Sequence, residues 1–225
     1  MSLHEVRSGF DTVVILVGTN PVPCVVSALA LVDDGVRILL CRTQDCTVVT
    51  REVKIRRYLE NVGLQREVAP ACDIDHASPD GITGPLVTRL ADMKPMGINV
   101  CYTGGTKAMA VHAVRAVAAA FSDRPLAFSY IDAQRDALQV TFGGKHDKAG
   151  HTLSVGLRPR DLAEADRDQL SLGLASVLDL HSWRFESYWE APIFPRAAEK
   201  LLSLYATGNG NHRDRWTKWA WSRDQ

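Results

Sequence analysis

Asn99-Val100-Cys101-Tyr102-Thr103-Gly104-Gly105-Thr106-Lys107 reads as an apolar strand that runs into a glycine turn and opens a helix. Such a junction aims backbone N–H groups and the positive end of a helix dipole at one spot. Here it adds the Thr103 and Thr106 hydroxyls and the Lys107 ammonium. The chemistry suits phosphate, yet neither Gly-x-x-x-x-Gly-Lys-Ser/Thr nor a strand followed by Gly-x-Gly-x-x-Gly is present. An ATPase or dinucleotide reading is therefore weak, and the plain alternative is a helix-entry turn with a solvated lysine.

A second segment repeats the design. Thr12-Val13-Val14-Ile15-Leu16-Val17 ends in Gly18-Thr19-Asn20-Pro21 before a small-residue helix from Val22 to Leu31. In an open parallel sheet, ligands sit outside the carboxyl ends of the strands where neighbouring crossovers diverge. Two such turns can share one pocket.

Outward from these segments, the periodicity predicts strands at 12–17, 36–41, 97–102, 126–131 and 137–142, and helices at 22–32, 48–62, 82–93 and 107–121. Short Val- and Ile-rich runs alternating with helical patterns indicate an α/β, Rossmann-like fold with a mostly parallel sheet. Ala133-Gln134-Arg135-Asp136 is too short for a crossover, so the last two strands should form a C-terminal antiparallel hairpin. Met109, Ala113, Val117 and Phe121 recur at helical spacing, with His112 on their flank, and read as core packing.

These residues resemble the CARF domains, the CRISPR-associated Rossmann-fold sensors, and among them the sensor half of the Can/Card-type nucleases. The resemblance rests on Thr103-Gly104-Gly105-Thr106-Lys107 after a strand, on the Gly18-to-Pro21 turn and on the order of elements between them. It covers residues 10–145 well and the remainder loosely. It implies a homodimer that binds a cyclic oligoadenylate, the second messenger of type III CRISPR antiviral defence, and then switches on an effector. Gly18, Thr19 and Asn20 match the first-strand loop that touches the ligand, and Thr103 to Lys107 match the loop that cradles phosphates and sugars. Arg42-Thr43-Gln44-Asp45 occupies the place of base contacts, which gives Thr43 and Gln44 as further candidates.

Composition is compatible with that reading. The chain has 225 residues, 46% of them apolar, enough to bury a core. No run approaches the ~18 consecutive apolar residues of a membrane span, and Met1-Ser2-Leu3-His4-Glu5 lacks a secretory pattern, so a cytoplasmic protein without membrane contact is expected. Cys24, Cys41, Cys46, Cys72 and Cys101 are odd in number and lack Cys-x-x-Cys spacing, which predicts neither a disulfide framework nor a structural metal. Lys plus Arg equals Asp plus Glu at 26 each, with 16 of each sign in residues 1–155 and 10 of each in 156–225. Without a basic excess, duplex DNA is not an expected partner.

Other segments carry weaker signals. Arg51, Lys54, Arg56 and Arg57 could steer an anion or face water, with Glu52 and Glu60 as partial neutralisers. Asp73, Asp75 and His76 sit in an apparent loop, 72–81, that meets no calcium-loop spacing, so no metal and no cofactor is predicted. Residues 1–145 are expected to be the sensor domain and 146–225 a helical connector, with Gly143 to Gly150 as a linker, helices between Arg160 and Leu180, another at 196–205 and a Trp-rich end at Trp216, Trp219 and Trp221. Pro79-Asp80 and Asp92-Met93-Lys94 spell the letters of a PD-(D/E)xK nuclease, but from a loop and a helix end, so the effector core is expected to be absent.

The leading expectation is a sensor of cyclic tetra-adenylate, because four phosphates with two-fold symmetry suit an isologous dimer that supplies Thr103 to Lys107 twice. The alternative is a metal-independent ring nuclease in which Thr19, Asn20, Thr106 and Lys107 align a ribose hydroxyl with the scissile phosphate, Asp45 being the nearest candidate base. A DNA-binding regulator is a third reading, disfavoured by the balanced charge of 156–225 and the lack of a helix-turn-helix pattern.

Overall fold

A computed structural model of the chain describes residues 3–33, 35–62, 67–170, 172 and 174–181. The helix expected at 196–205 and the Trp-rich end lie outside the described residues. One mixed sheet organises the rest: β1 (Thr12–Leu16), β2 (Arg37–Arg42), β3 (Glu67–Val68), β4 (Cys72–Asp73), β5 (Ile98–Cys101), β6 (Pro125–Asp132), β7 (Ala137–Gly144) and β8 (Thr152–Gly156). Its order is β3-β2-β1-β5-β6-β7-β8, with β4 also pairing β2. Strands β1 to β6 pair in parallel, and β6, β7 and β8 are antiparallel. The fold is therefore Rossmann-like, as the alternation of segments implies.

The central strands are apolar on both sides because helices cover both faces. β1 and β5 are buried at every position. Helices α2 (Pro21–Leu31) and α3 (Cys46–Asn61) bury Val25, Leu29, Val48, Ile55 and Leu59 on one face, together with α1 (Leu3–Arg7). Helices α4 (Pro79–Met93) and α5 (Lys107–Ala120) bury Ile82, Leu86, Leu90, Met109, Ala113 and Val117 on the other. Each long helix begins at a side-chain cap rather than at its first apolar residue: Asn20 for α2, Asp45 for α3, Ser78 for α4 and Thr106 for α5.

Several expectations need correction. Residues 143–150 are not a linker: Gly143 and Gly144 end β7, and the following turn leads into β8, which adds a third antiparallel strand to the expected β6–β7 hairpin. The amphipathic β8 alternates too briefly to stand out from the glycines before it. The loop read at 72–81 contains β4 and the first turn of α4, where Pro79 is favoured because its missing N–H has no partner to lose. Asp80 and Asp92 thus lie at opposite ends of one helix, ~18 Å apart at 1.5 Å per residue, and cannot share a metal.

Three of the four basic side chains on α3 are held by structural partners, and Arg57 is exposed. Arg56 turns inward to Glu52, which is only 2% exposed and also receives Arg42 from β2 at 2.7 Å. The Arg56 guanidinium caps the carbonyls of Val68 and Ala69 as well, so it fastens β3 to α3. Arg51 donates to the Leu180 carbonyl at 2.9 Å, and Lys54 pairs with Asp179. Both partners belong to α7 (Leu174–Leu180), which with α6 (Glu164–Leu170) follows a single 3-10 turn at Pro159–Asp161. Val155, Leu162 and Leu180 join the α2–α3 core, so the sheet and its packing extend past residue 145.

Removing Glu52 should leave two guanidiniums facing one another in a poorly hydrated site. Glu52→Ala is expected to lower stability by about 3 kcal/mol, the low end for a broken buried pair because both arginines keep other partners. The midpoint of urea unfolding reads this directly.

His146 is held against Phe142 at 4.2 Å and Phe10 at 5.5 Å between ring centroids, and its Nδ1 accepts from the Lys148 N–H at 3.0 Å. Burial pushes its pKa below the usual 6.5, with Lys148 acting in the same sense and Asp147 against it. As pH falls through 6.5 the unfolded chain takes up this proton first, so stability declines until the folded pKa is passed, and above 6.5 the group contributes nothing. The melting temperature should be lower at about pH 5.5 than at about pH 7.5, with a smaller difference in His146→Phe.

Candidate functional site

β1 and β5 lie side by side in parallel, from Thr12 opposite Ile98 to Ile15 opposite Cys101. Beyond their carboxyl ends the chain leaves to α2 on one face and to α5 on the other. That divergence is a topological switch point, where open α/β sheets hold their ligands. The Gly18–Asn20 and Thr103–Lys107 turns therefore meet there.

The contact between them is backbone to backbone. A Cβ on Gly18 would stand 2.7 Å from the Gly105 nitrogen, and one on Gly104 would stand 2.1 Å from the Leu16 carbonyl oxygen. Gly105 has φ +74°, in the left-handed region that glycine tolerates, and a Cβ there would press on the Met109 side chain at 2.9 Å. The N–H groups of Gly104 and Gly105 find no hydrogen-bond acceptor among the described residues. They are donors left open at the mouth of a helix.

Several candidate side chains are occupied in building this shape. Asn20 accepts from the Val22 N–H at 3.2 Å and caps α2; Thr106 accepts from the Met109 N–H at 3.2 Å and caps α5. The Thr103 hydroxyl accepts from the Ile131 N–H at 2.8 Å, tying the turn to β6. Thr19 and Lys107 are exposed, and their side chains make no hydrogen bond or ion pair among the described residues. After β2, on the other side of β1, Thr43 is buried while Gln44 is exposed, and Asp45 accepts from the Thr47 and Val48 N–H groups at 2.8 and 3.2 Å. Thus Gly18, Thr19, Gly104, Gly105 and Lys107 form the meeting point, Asn20, Thr103 and Thr106 shape it, and Gln44 rather than Thr43 reaches solvent from the flank.

The Cys24 thiol, which lies beside Gly104, is held in its neutral form. Cys24 is fully buried and leans toward the Leu16 carbonyl at 3.5 Å, and burial pushes its pKa up to about 12. Sequence reasoning passed over an aromatic pair. Tyr102 and Tyr130 follow the Cys101–Ser129 pairing of β5 and β6, and their ring centroids are 5.4 Å apart at 31°. Tyr102 lay inside the most informative stretch, and aligning β5 with β6 would have supplied its neighbour.

No protein-family model and no curated protein sequence matches this chain. Among solved structures it is similar to Can2 from Sulfobacillus thermosulfidooxidans in complex with cyclic tetra-adenylate, with 19% identity, TM-score 0.46, and coverage of 67% of this chain and 39% of that one. It is also similar to a Vibrio cholerae protein, with 12% identity, TM-score 0.47, and coverage of 63% and 35%. A third is a type III CRISPR defence DNA nuclease activated by cyclic oligoadenylate, with 14% identity, TM-score 0.44, and coverage of 78% and 25%. The chain thus spans between a quarter and two fifths of the length of these proteins.

The glycine contact makes a direct test. Gly104→Ala forces the Leu16 carbonyl to move and should cost about 1–3 kcal/mol of stability. Gly84→Ala, in α4 where an added Cβ meets nothing within 4 Å, should instead stabilise by about 1 kcal/mol. Chemical denaturation of the two variants should move the midpoint in opposite directions.

Proposed function

We propose that this chain is a sensor that binds a cyclic oligoadenylate, cyclic tetra-adenylate being the expected ring, between two copies related by a two-fold axis. One observation carries the reading: the Gly18 and Gly104–Gly105 turns touch through their backbones and leave two N–H donors and Lys107 without partners among the described residues. Open amides at a helix N-terminus with a neighbouring ammonium favour a phosphate diester. The Thr-Gly-Gly-Thr-Lys motif resembles that of CARF sensors, and the ring is the ligand which that resemblance implies. A two-fold dimer would present the motif twice to a ring of matching symmetry. The sensor would act in the cytoplasm in type III CRISPR defence, and the effector it regulates would be a further domain or a separate protein.

Ring cleavage by the same pocket is the second reading, with Thr19, Asn20, Thr106 and Lys107 around the scissile phosphate. Positioning alone gives modest rates without a tuned proton acceptor. Asn20 Oδ1, Thr106 Oγ1 and Asp45 Oδ1 each accept at a helix cap, and Asp45 lies beyond β2 rather than in either of the two meeting turns. This favours a receptor that holds its ligand over one that turns it over.

Calorimetry with rings of three, four and six adenosines tests the proposal. The four-membered ring should bind with one ring per two chains, and light scattering should report a dimer. Lys107→Ala should weaken binding by about 1.5–3 kcal/mol, the range for a hydrogen bond to a charged group, without changing the melting temperature. The bound ring should be recovered intact after hours by chromatography. A monomer binding one ring per chain would remove the dimeric arrangement, and fast conversion to linear products would promote the enzyme.

A further inference from the structure

The aromatic pair beside the phosphate-type turn is not absorbed by the phosphate chemistry. Tyr130 is 37% exposed and is the one exposed aromatic residue among the described residues. An aromatic ring at a strand end usually turns its face to the core, and its neighbours Phe128 and Tyr102 do pack against the cluster under α4 and α5. The outer ring of the pair is left toward solvent, stacked in a tilted arrangement on the inner one. Neither phenol oxygen donates or accepts a hydrogen bond among the described residues. Burial raises the pKa of the Tyr102 phenol, with Tyr130 contributing in the same direction, so the inner ring stays neutral.

Position gives the pair a purpose. Thr103 accepts from the N–H of Ile131, the residue after Tyr130, so the platform abuts the first residue of the turn. Lys107 opens α5, whose buried residues belong to the cluster against which Tyr102 packs, which places the ammonium and the two rings on one face of the sheet at its carboxyl end. An anion anchor flanked by a supported, outward-facing aromatic surface matches a nucleotide better than a bare anion. Bases stack on such rings with little regard to their hydrogen-bonding edges, and a ring rigidly backed by a second loses little freedom when a base arrives.

We infer that Tyr130, backed by Tyr102, is the stacking platform for a nucleobase of the ligand whose phosphates lie at the Thr103–Lys107 turn. The inference rests on the proposed function for the phosphate site and adds the residue that reads the base. Purines, with the larger face, gain most from such a surface. The platform therefore makes an adenine ring a better ligand than a uracil ring carrying the same phosphates.

The test compares cyclic tetra-adenylate with cyclic tetra-uridylate on four proteins: the unaltered chain, Tyr130→Phe, Tyr130→Leu and Lys107→Ala. Tyr130→Phe should bind the adenine ring as the unaltered chain does. Tyr130→Leu, which keeps apolar bulk at an exposed position and so should fold with an unchanged melting temperature, should lose about tenfold or more in affinity for the adenine ring and much less for the uracil ring. Lys107→Ala should weaken both rings together and keep their ratio. An unaltered chain that binds neither ring would overturn the phosphate site and the platform together. An unaltered chain that binds, with Tyr130→Leu showing the same preference for adenine, would overturn the platform alone and leave the phosphate site standing.

Discussion

The absence of a side chain at Gly104 governs the architecture, because the Leu16 carbonyl oxygen occupies ground that a Cβ would need. With Gly18 and Gly105 similarly bare, the turns after β1 and β5 close on each other with no atoms between them. The two strands stay paired as far as Ile15 and Cys101, and the helices that follow leave on opposite faces. Two apolar clusters result, one under α2 and α3 and one under α4 and α5. Any side chain at these positions would force the two turns apart.

Polar groups hold the far ends of the same helices. The carbonyls at the end of α2 have no partners within the helix. Arg7 donates to Ala30 and Leu29, and Gln169 donates to Leu29 and Val32, so α1 and α6 both finish α2. Arg7 is 8% exposed and is paired with Asp166 at 3.0 Å and Asp33 at 3.1 Å, which keeps its charge compensated where water is scarce. On α3, Glu52 plays the corresponding part between Arg42 and Arg56. The helix whose first residue adjoins Asn20 at the site is therefore clamped at its other end by side chains from both ends of the described chain.

Features legible in the sequence share one property: their signal is local. The runs 12–17, 36–41, 97–102, 126–131 and 137–142 are strongly apolar, and each strand lies within a residue or two of its expected place. Glycine turns after strands likewise announce themselves, and their meeting follows from the sheet order. Short or half-exposed elements were missed, namely α1, β3, β4 and the edge strand β8, because a few residues carry too little periodicity. Pairing across long separations was invisible: nothing near Arg56 says that it reaches the Val68 and Ala69 carbonyls, and nothing near Asp179 says that it meets Lys54. At the site, Gly18, Gly104 and Gly105 were found by pattern, whereas Tyr130 required a register that only the folded sheet supplies.

The division of labour at the candidate site follows from that construction. The Asn20 and Thr106 side-chain oxygens are drawn into helix caps, because the turns have to terminate two strands and start two helices within a few residues. What is left facing outward is the open amides, the Thr19 hydroxyl, the Lys107 ammonium and an aromatic face. The amides and the ammonium attract negative charge. A turn made this way spends its side-chain oxygens on its own geometry and leaves its backbone donors and its ammonium for contact with an anion.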